Sequence, residues 1–266
     1  MAGSGAACPA TRAGSGLHSG YSVDGRSIDS PVAKTAAAAV RPMRTSVIIP
    51  ALNEAGNIGA LVAGTLALPV MEVIVVDNGS TDGTAAAAAA AGAVVVTERR
   101  RGYGYACAAG CLAARGDILV TLDGDGSFLP AEMSRLLAPI LAGKADLVLG
   151  SRPLGHIAPG AMPGHQRFGN WLAAGLMRGL YGLAVTDLGP YRAISKELLD
   201  SLAMREMTYG WPTEMTVKAA RSGARLSEVP VSYYPRRSGR SKVSGTLKGS
   251  VLAAYYIVWV MLKYAI

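Results

Sequence analysis

The chain has 266 residues, half of them hydrophobic, which is ample for one sizeable core and leaves room for one or two domains. Its formal charge of +8 favours anionic partners: nucleic acid, phosphate-bearing substrates or anionic lipid. The three cysteines, Cys8, Cys107 and Cys111, have no His or Cys partner at ligand spacing. A zinc site and a disulfide framework are therefore disfavoured, and small core thiols in a reducing cytosol are expected.

Residues 1–42 are rich in Ala, Gly and Ser without a sustained period and read as a disordered tail; no apolar run follows a basic start, so no secretory signal is expected. From residue 45 the chain alternates. "TSVIIP" reads as a strand, "EAGNIGALVAGTLAL" as a helix and "VMEVIVVDN" as the next strand. Thr81 or Asp82 is placed to cap the Ala-rich helix that follows. "AVVVTE" gives a third strand, "GYGYACAAGCLAA" a helix, and "DILVTLD" a fourth strand. "PAEMSRLLAPILAG" is a helix opened by Pro130, and "ADLVLGSR" a fifth strand. Strand–helix alternation with continuous apolar strands predicts an α/β fold, a parallel sheet covered on both faces. Near the end, "VLAAYYIVWVML" (251–262) is strongly apolar but shorter than the roughly twenty residues that span a bilayer. Basic residues flank it: Arg236, Arg237, Arg240, Lys242, Lys248 and Lys263. A core helix and a helix lying on a membrane surface both fit.

In such sheets ligands bind at the carboxyl ends of the strands. There the first strand offers Pro50, Asn53 and Glu54, and the second Asp77, Asn78, Gly79 and Ser80. The fourth offers Asp123, Gly124 and Asp125, and the fifth Gly150, Ser151 and Arg152. One such cluster is ordinary turn chemistry, but four on one edge predict a site. Neither a Gly-x-Gly-x-x-Gly turn nor a Gly-x-x-x-x-Gly-Lys-Ser/Thr loop follows the first strand, which disfavours dinucleotide binding and P-loop chemistry. An Asp-x-Asp suits Mg2+ or Mn2+, hard cations that take oxygen ligands and retain substrate phosphate and water. Such a metal bridges a diphosphate and neutralises the charge of a departing nucleotide.

These residues carry a resemblance. "VIIPALNE" (47–54), "VVDNGSTDGT" (75–84) and "LDGDG" (122–126) resemble the signatures of family 2 glycosyltransferases with the GT-A fold. "GSR" (150–152), Arg167 with Asn170, "DLGPYRAI" (187–194) and Arg236-x-x-Gly239-x-Ser241-Lys242 follow in order and resemble the dolichyl-phosphate mannosyltransferase branch. The likeness covers about residues 45–250. It implies a mostly parallel, Rossmann-like sheet in one catalytic domain, taken as 43–235, with 236–266 as a basic loop and an apolar helix that packs in the core or lies on a membrane. It implies transfer of a hexose from a GDP-mannose or UDP-glucose type donor to a polyprenyl phosphate, with inversion.

The resemblance also implies roles. Pro50, Ala51, Asn53, Glu54, Asp77 and Gly79 would hold the nucleotide sugar, with Gly124, Arg236 and Lys242. Asp123 and Asp125 would hold the metal and diphosphate, and Arg152 and Arg167 the acceptor phosphate. Asp125, Arg152 and Arg236 would carry the chemistry. Two departures stand out: Asn78 replaces a second Asp, and Ser127, a weaker ligand, stands where some relatives place a metal-binding Gln.

A lipid phosphate is already an anion, so a strong base is not required and catalysis rests on positioning and charge stabilisation. A hydroxyl acceptor would need a base, for which Glu214 in "YGWPTEM" is the candidate; it also fits a first-turn glutamate favoured by the helix dipole. Asp187 fits either a sugar contact or a turn cap. The Gly/Pro-rich stretch 153–166, with His156 and His165, reads as a mobile loop over the site or a surface connection. Arg99 to Arg101 fit an anion contact or a solvated turn. A nucleotidyltransferase would need a basic glycine-rich loop where Glu54 stands, and a bare anion- or membrane-binding module leaves the acidic residues unexplained. Nucleic acid is disfavoured because aromatics hardly interleave with the basic residues. The expected partners are a nucleotide sugar, a polyprenyl phosphate, a membrane surface at the cytoplasmic face and a membrane protein.

Overall fold

The computed structural model describes residues 44–239 and 247–265; the expected tail 1–42 and the residues Arg240, Ser241 and Lys242 lie outside them. Pro42–Ile266 forms one compact unit. The first half runs β1 (Thr45–Ala51), α1 (Ala55–Leu66), β2 (Glu72–Asp77), α2 (Thr84–Ala90), β3 (Val94–Thr97), α3 (Tyr103–Ala113) and β4 (Ile118–Thr121). A 3-10 turn at Pro130–Glu132 then leads to α4 (Met133–Leu141), β5 (Leu147–Ser151) and α5 (Gly164–Tyr181). The chain finishes with β6 (Arg192–Ser195), α6 (Lys196–Ser201), α7 (Trp211–Arg221), β7 (Leu226–Pro230) and α8 (Leu247–Lys263).

The seven strands lie in the order β3-β2-β1-β4-β6-β5-β7. All neighbours pair in parallel except β6, which runs antiparallel to β4 and β5. The period-2 alternation of strand side chains sorts the core into two layers. Val47, Ile49, Val73, Val75, Ile118 and Val120 face the side covered by α1 and α4, through Ile58, Leu61, Val62, Leu136 and Ile140. Ile48, Ile74, Val76 and Leu119 face the other side with Cys107, Cys111, Met177, Trp211, Met215 and Met261 of α3, α5, α7 and α8. The two thiols are thus core groups, as expected. Gly110 lets α3 approach the sheet: a Cβ there would stand 2.4 Å from Ile48 Cγ2 and 2.9 Å from Val76 Cγ2.

One carboxylate starts two helices. Asp82 Oδ1 accepts from the Thr84 amide at 3.0 Å, one residue outside the α2 N-cap Gly83, and Oδ2 accepts from the Ala55 amide at 3.2 Å. The N-cap of α2 is thus Gly83, rather than the expected Thr81 or Asp82, and Asp82 accepts the first amide of each helix from just outside it, which locks together the turns after β1 and β2. At the far end α8 buries Val260 and Met261 while Val251, Tyr255, Trp259 and Leu262 stay at least half exposed. Among the described residues no helix is long and apolar enough to cross a membrane.

Candidate active site

A cavity of about 430 Å³ opens at the carboxyl ends of β1, β2 and β4. Pro50, Ala51, Glu54, Asp123, Gly124, Asp125, Arg152 and Arg236 line it, so most of the expected site residues meet in one place. Asn53, Asp77 and Gly79 do not line it and instead build the turns after β1 and β2. Asn53 has φ 53°, its amide donates to Ser80 Oγ at 2.9 Å, and its Oδ1 accepts from the Thr81 amide at 2.8 Å. Asp77 Oδ1 accepts from the Ser80 amide at 2.9 Å, and Gly79 takes the left-handed φ of 82° that such a turn favours. Arg167 faces a second cavity of about 580 Å³ along α5, with Asn170, Trp171 and Arg178. Its Nε donates to the Met162 carbonyl at 3.3 Å.

Asp123 is half-buried in the cavity wall, with the Tyr103 hydroxyl 3.4 Å from its Oδ1. Burial first, and the neighbouring Asp125 second, push its carboxyl up to about 7, against the pull of Arg152, Tyr103 and Arg236. Asp125 accepts from the Ser127 amide at 3.0 Å through Oδ1 and from Arg236 Nη2 at 2.9 Å through Oδ2. Arg236 Nη1 lies 3.5 Å from Glu54 Oε1, and Glu54 Oε2 accepts from Asn57 Nδ2 at 2.7 Å. The residues present fit a divalent cation. Two repelling carboxylates share a pocket, and Ser127 Oγ beside them is buried with no hydrogen-bond partner in the described protein. Asp123 and Asp125 would hold the ion. Among the described residues no group of three or more His, Cys, Asp or Glu side chains gathers at metal-ligand spacing, so its remaining ligands would be substrate oxygens and water.

Arg152 is fixed. Its Nε and Nη2 each reach an Asp187 oxygen at 2.7 Å, and its backbone amide reaches Oδ2 at 2.9 Å. Its guanidinium lies 5.1 Å from the centre of the Tyr233 ring. Burial would depress it, but the Asp187 carboxylate outweighs that and keeps it charged. Asp187 is therefore the partner of Arg152, neither a sugar contact nor a simple turn cap. Glu228 holds the segment in turn, accepting from the amides of Thr186 at 2.9 Å and Asp187 at 3.0 Å.

Glu214 is buried and does not line the cavity. It accepts from Lys218 Nζ at 2.8 Å, the Tyr264 hydroxyl at 2.6 Å, and the amides of Arg205 and Glu206 at 2.9 and 2.7 Å. Burial would push its carboxyl up, but these donors prevail and hold it below the ordinary carboxylate range. Such a group ties α8 to the body and is a poor base.

Asn78 and Arg101, singled out in the sequence without a definite role, also face the cavity. Asn78 lines the cavity and pins the loop before α3: its Nδ2 donates to the carbonyls of Glu98 at 2.9 Å and Arg100 at 2.8 Å, and its Oδ1 accepts from the Gly102 amide at 3.0 Å. Neutral Asn supplies both donor and acceptor, which a second Asp would not. Arg101 also lines the cavity, while Arg100 pairs with Glu98 at 2.7 Å. Fully buried Arg192 donates to the Gly189 and Pro212 carbonyls, and burial lowers it to about 10. From α8, Ala253 and Ile257 close one side. Within the stretch 153–166, residues 156–158 pair with Tyr233: Tyr233 N donates to the His156 carbonyl at 2.7 Å and Ala158 N to the Tyr233 carbonyl at 2.9 Å.

The sequence profile of glycosyl transferase family 2 matches residues 46–203, more than half of the chain. An uncharacterised glycosyltransferase of Mycobacterium tuberculosis is 41% identical over 209 residues, 78% of this chain and 93% of that protein. The undecaprenyl-phosphate mannosyltransferase of Micrococcus luteus is 36% identical over 228 residues, 79% of this chain and 91% of that protein. Among solved structures, glucosyl-3-phosphoglycerate synthase of Mycobacterium tuberculosis superposes with a TM-score of 0.71 at 26% identity, covering 84% of this chain and 80% of that one. That enzyme was crystallised with Mn2+, UDP and glucosyl-3-phosphoglycerate. Sheet order, site position and sequence converge: the chain is a GT-A-fold enzyme that belongs to glycosyltransferase family 2.

Proposed function

We propose that this enzyme transfers a hexose from a nucleotide diphosphate sugar to a polyprenyl phosphate, inverting the anomeric centre. The observation that carries the reading is Arg152, a buried, permanently charged guanidinium in the wall of the cavity that holds Asp123 and Asp125. It is an anion receptor beside a carboxylate pair suited to a metal–diphosphate. The acceptor's phosphate oxygen attacks the anomeric carbon from the face opposite the leaving diphosphate, and the nucleophile needs no proton removed. Arg236 stabilises the departing diphosphate, with Lys242 as a second cation. Mg2+ or Mn2+, held by Asp123 and Asp125, would neutralise diphosphate charge. Pro50, Ala51 and Glu54 border the nucleotide, with Asp77 and Gly79 supporting the turn. Arg152 meets the acceptor phosphate, and Arg167 in the neighbouring groove extends the basic path along α5. The relative named for undecaprenyl-phosphate mannosyl transfer supports the acceptor class and mannose.

A hydroxyl acceptor is the second reading, favoured by the neighbour that acts on phosphoglyceric acid. It ranks lower because Glu214, its candidate base, is committed to four donors away from the cavity. On this reading the enzyme works at the cytoplasmic membrane surface, with residues 43–235 as the catalytic domain and 236–266 as a basic loop and a membrane-associated helix. Phe168, Trp171, Tyr255 and Trp259, each at least half exposed on the neighbouring helices α5 and α8, would enter the lipid interface. A membrane-protein partner would share that face. The test incubates the protein with Mn2+, polyprenyl phosphate and radiolabelled GDP-mannose or UDP-glucose, and counts label in the organic phase. Metal-dependent label establishes the acceptor; label only in soluble products gives the second reading.

A further inference from the structure

Asp125, one of the two carboxylates suited to a metal, already has a cation. Arg236 reaches Asp125 Oδ2 at 2.9 Å and Glu54 Oε1 at 3.5 Å, so its guanidinium bridges two acids from different strand ends. The arm that delivers it is anchored. The Ser238 carbonyl accepts from Asn57 Nδ2 at 3.1 Å, in the first turn of α1. Gly56 makes room for the crossing: a Cβ there would stand 2.8 Å from Ser238 Oγ. On the other side, the Tyr234 amide donates to the Ser127 carbonyl at 2.9 Å, two residues past Asp125. Arg236 is thus held against the acids by a strap fixed at both ends, and its side chain keeps about one fifth of its surface exposed, enough to swing.

A divalent ion on Asp125 meets this fixed positive charge at short range. It must displace the guanidinium or sit beside it, and either costs affinity. A diphosphate changes the balance. It brings acceptor oxygens that suit the forked guanidinium and completes an ion that has too few protein ligands of its own. We propose that Arg236 is a built-in competitor of the metal, which keeps the bare site weak for divalent ions and releases it when a nucleoside diphosphate gives the guanidinium another partner. This rests on the donor class of the proposed function. It adds an order: metal and donor enter together, and metal alone enters poorly.

The test measures Mn2+ binding directly, by the electron paramagnetic resonance signal of the free ion, with and without GDP or UDP. Arg236→Gln and Arg236→Met are compared with the wild type, and Arg237→Gln, the adjacent arginine, controls for general charge loss. Circular dichroism and melting temperature verify folding, and Asp125→Asn in the Arg236→Gln background verifies that the ion counted is this one. Both Arg236 variants are expected to bind Mn2+ alone about tenfold more tightly than the wild type, the size of a short-range charge repulsion in a partly screened site. Arg237→Gln is expected to shift it less than about twofold. Nucleoside diphosphate is expected to tighten Mn2+ strongly in the wild type and far less in the Arg236 variants, by linkage. Equal Mn2+ affinity in wild type and Arg236 variants, or an equal gain in Arg237→Gln, overturns the proposal. A wild type that binds Mn2+ but neither nucleotide refutes the donor class instead, while the comparison with metal alone still stands.

Discussion

Replacing Asp187 by Asn tests whether Arg152 is a fixed receptor. Arg152 and Asp187 side chains are 8% and 0% exposed, and three hydrogen bonds of 2.7 to 2.9 Å join them. The amide keeps one acceptor but turns an NH2 toward a guanidinium that has only donors, and leaves the buried charge without its counter-ion. Breaking one partner of a buried pair costs about 3–5 kcal/mol. For a domain of this size that lowers the melting temperature by about 2–4 °C per kcal/mol. Thermal and urea unfolding of Asp187→Asn should show this loss, and acceptor KM should rise because the guanidinium loses its orientation. The double substitution Arg152→Met with Asp187→Leu removes both charges and should recover most of the stability without recovering transfer. A loss below about 1 kcal/mol in Asp187→Asn would refute the reasoning, since only exposed pairs are worth so little.

Three further outcomes are expected. Asp125→Ala should keep the fold and lower transfer at least about 100-fold, as removal of charge stabilisation does, read by label in the organic phase. Glu214 has a folded-state pKa held below its ordinary 4.5, so its contribution to stability is complete above that pH and is lost as pH falls through the lower folded value; Glu214→Gln should flatten the unfolding free energy in that acid window and leave transfer to a phosphate acceptor within a few-fold. Replacing Trp171 and Trp259, 68% and 50% exposed, by Ala should weaken sedimentation with anionic vesicles by about tenfold each, while leaving Mn2+ binding unchanged.

What was legible in the sequence follows from what each element must bury. The strands β1, β2, β4 and β5 are buried on both faces and so are written as apolar runs, and their polar ends mark the site. The strand β6 was missed because its sequence, "RAIS", is short and opens on Arg192, a residue that looks like a surface charge but is buried by donating to loop carbonyls. The strand β7 carries Ser and Glu, half-buried, with the function of holding residues 186–187. Asp187 and Glu214 were ambiguous in sequence because a lone acid has the same letter whether it touches substrate or braces an arginine. Their partners, Arg152 at a distance of 35 residues and Tyr264 at 50, are set by topology alone. Arg152 and Arg167 share a charge and an expected role, yet the path of α5 sends Arg167 to a different groove.

Arg152 and Arg236, two of the arginines that line the main cavity, differ in a way that suits the proposed transfer between two anions. Arg152 is buried and paired through three bonds to an acid that is itself held by backbone and Glu228, so it cannot move without large cost. Arg236 is partly exposed, rides on a strap, and pairs with acids that have another use. A fixed charge suits the group that must be aimed, because misplacing an attacking oxygen by an ångström costs rate steeply. An exchangeable charge suits the group that arrives with a metal and departs as product, because binding it too rigidly would slow release. On the proposed function, this division would give the acceptor phosphate to Arg152 and the donor diphosphate to Arg236, and exchanging the roles would aim the nucleophile with the more exposed of the two.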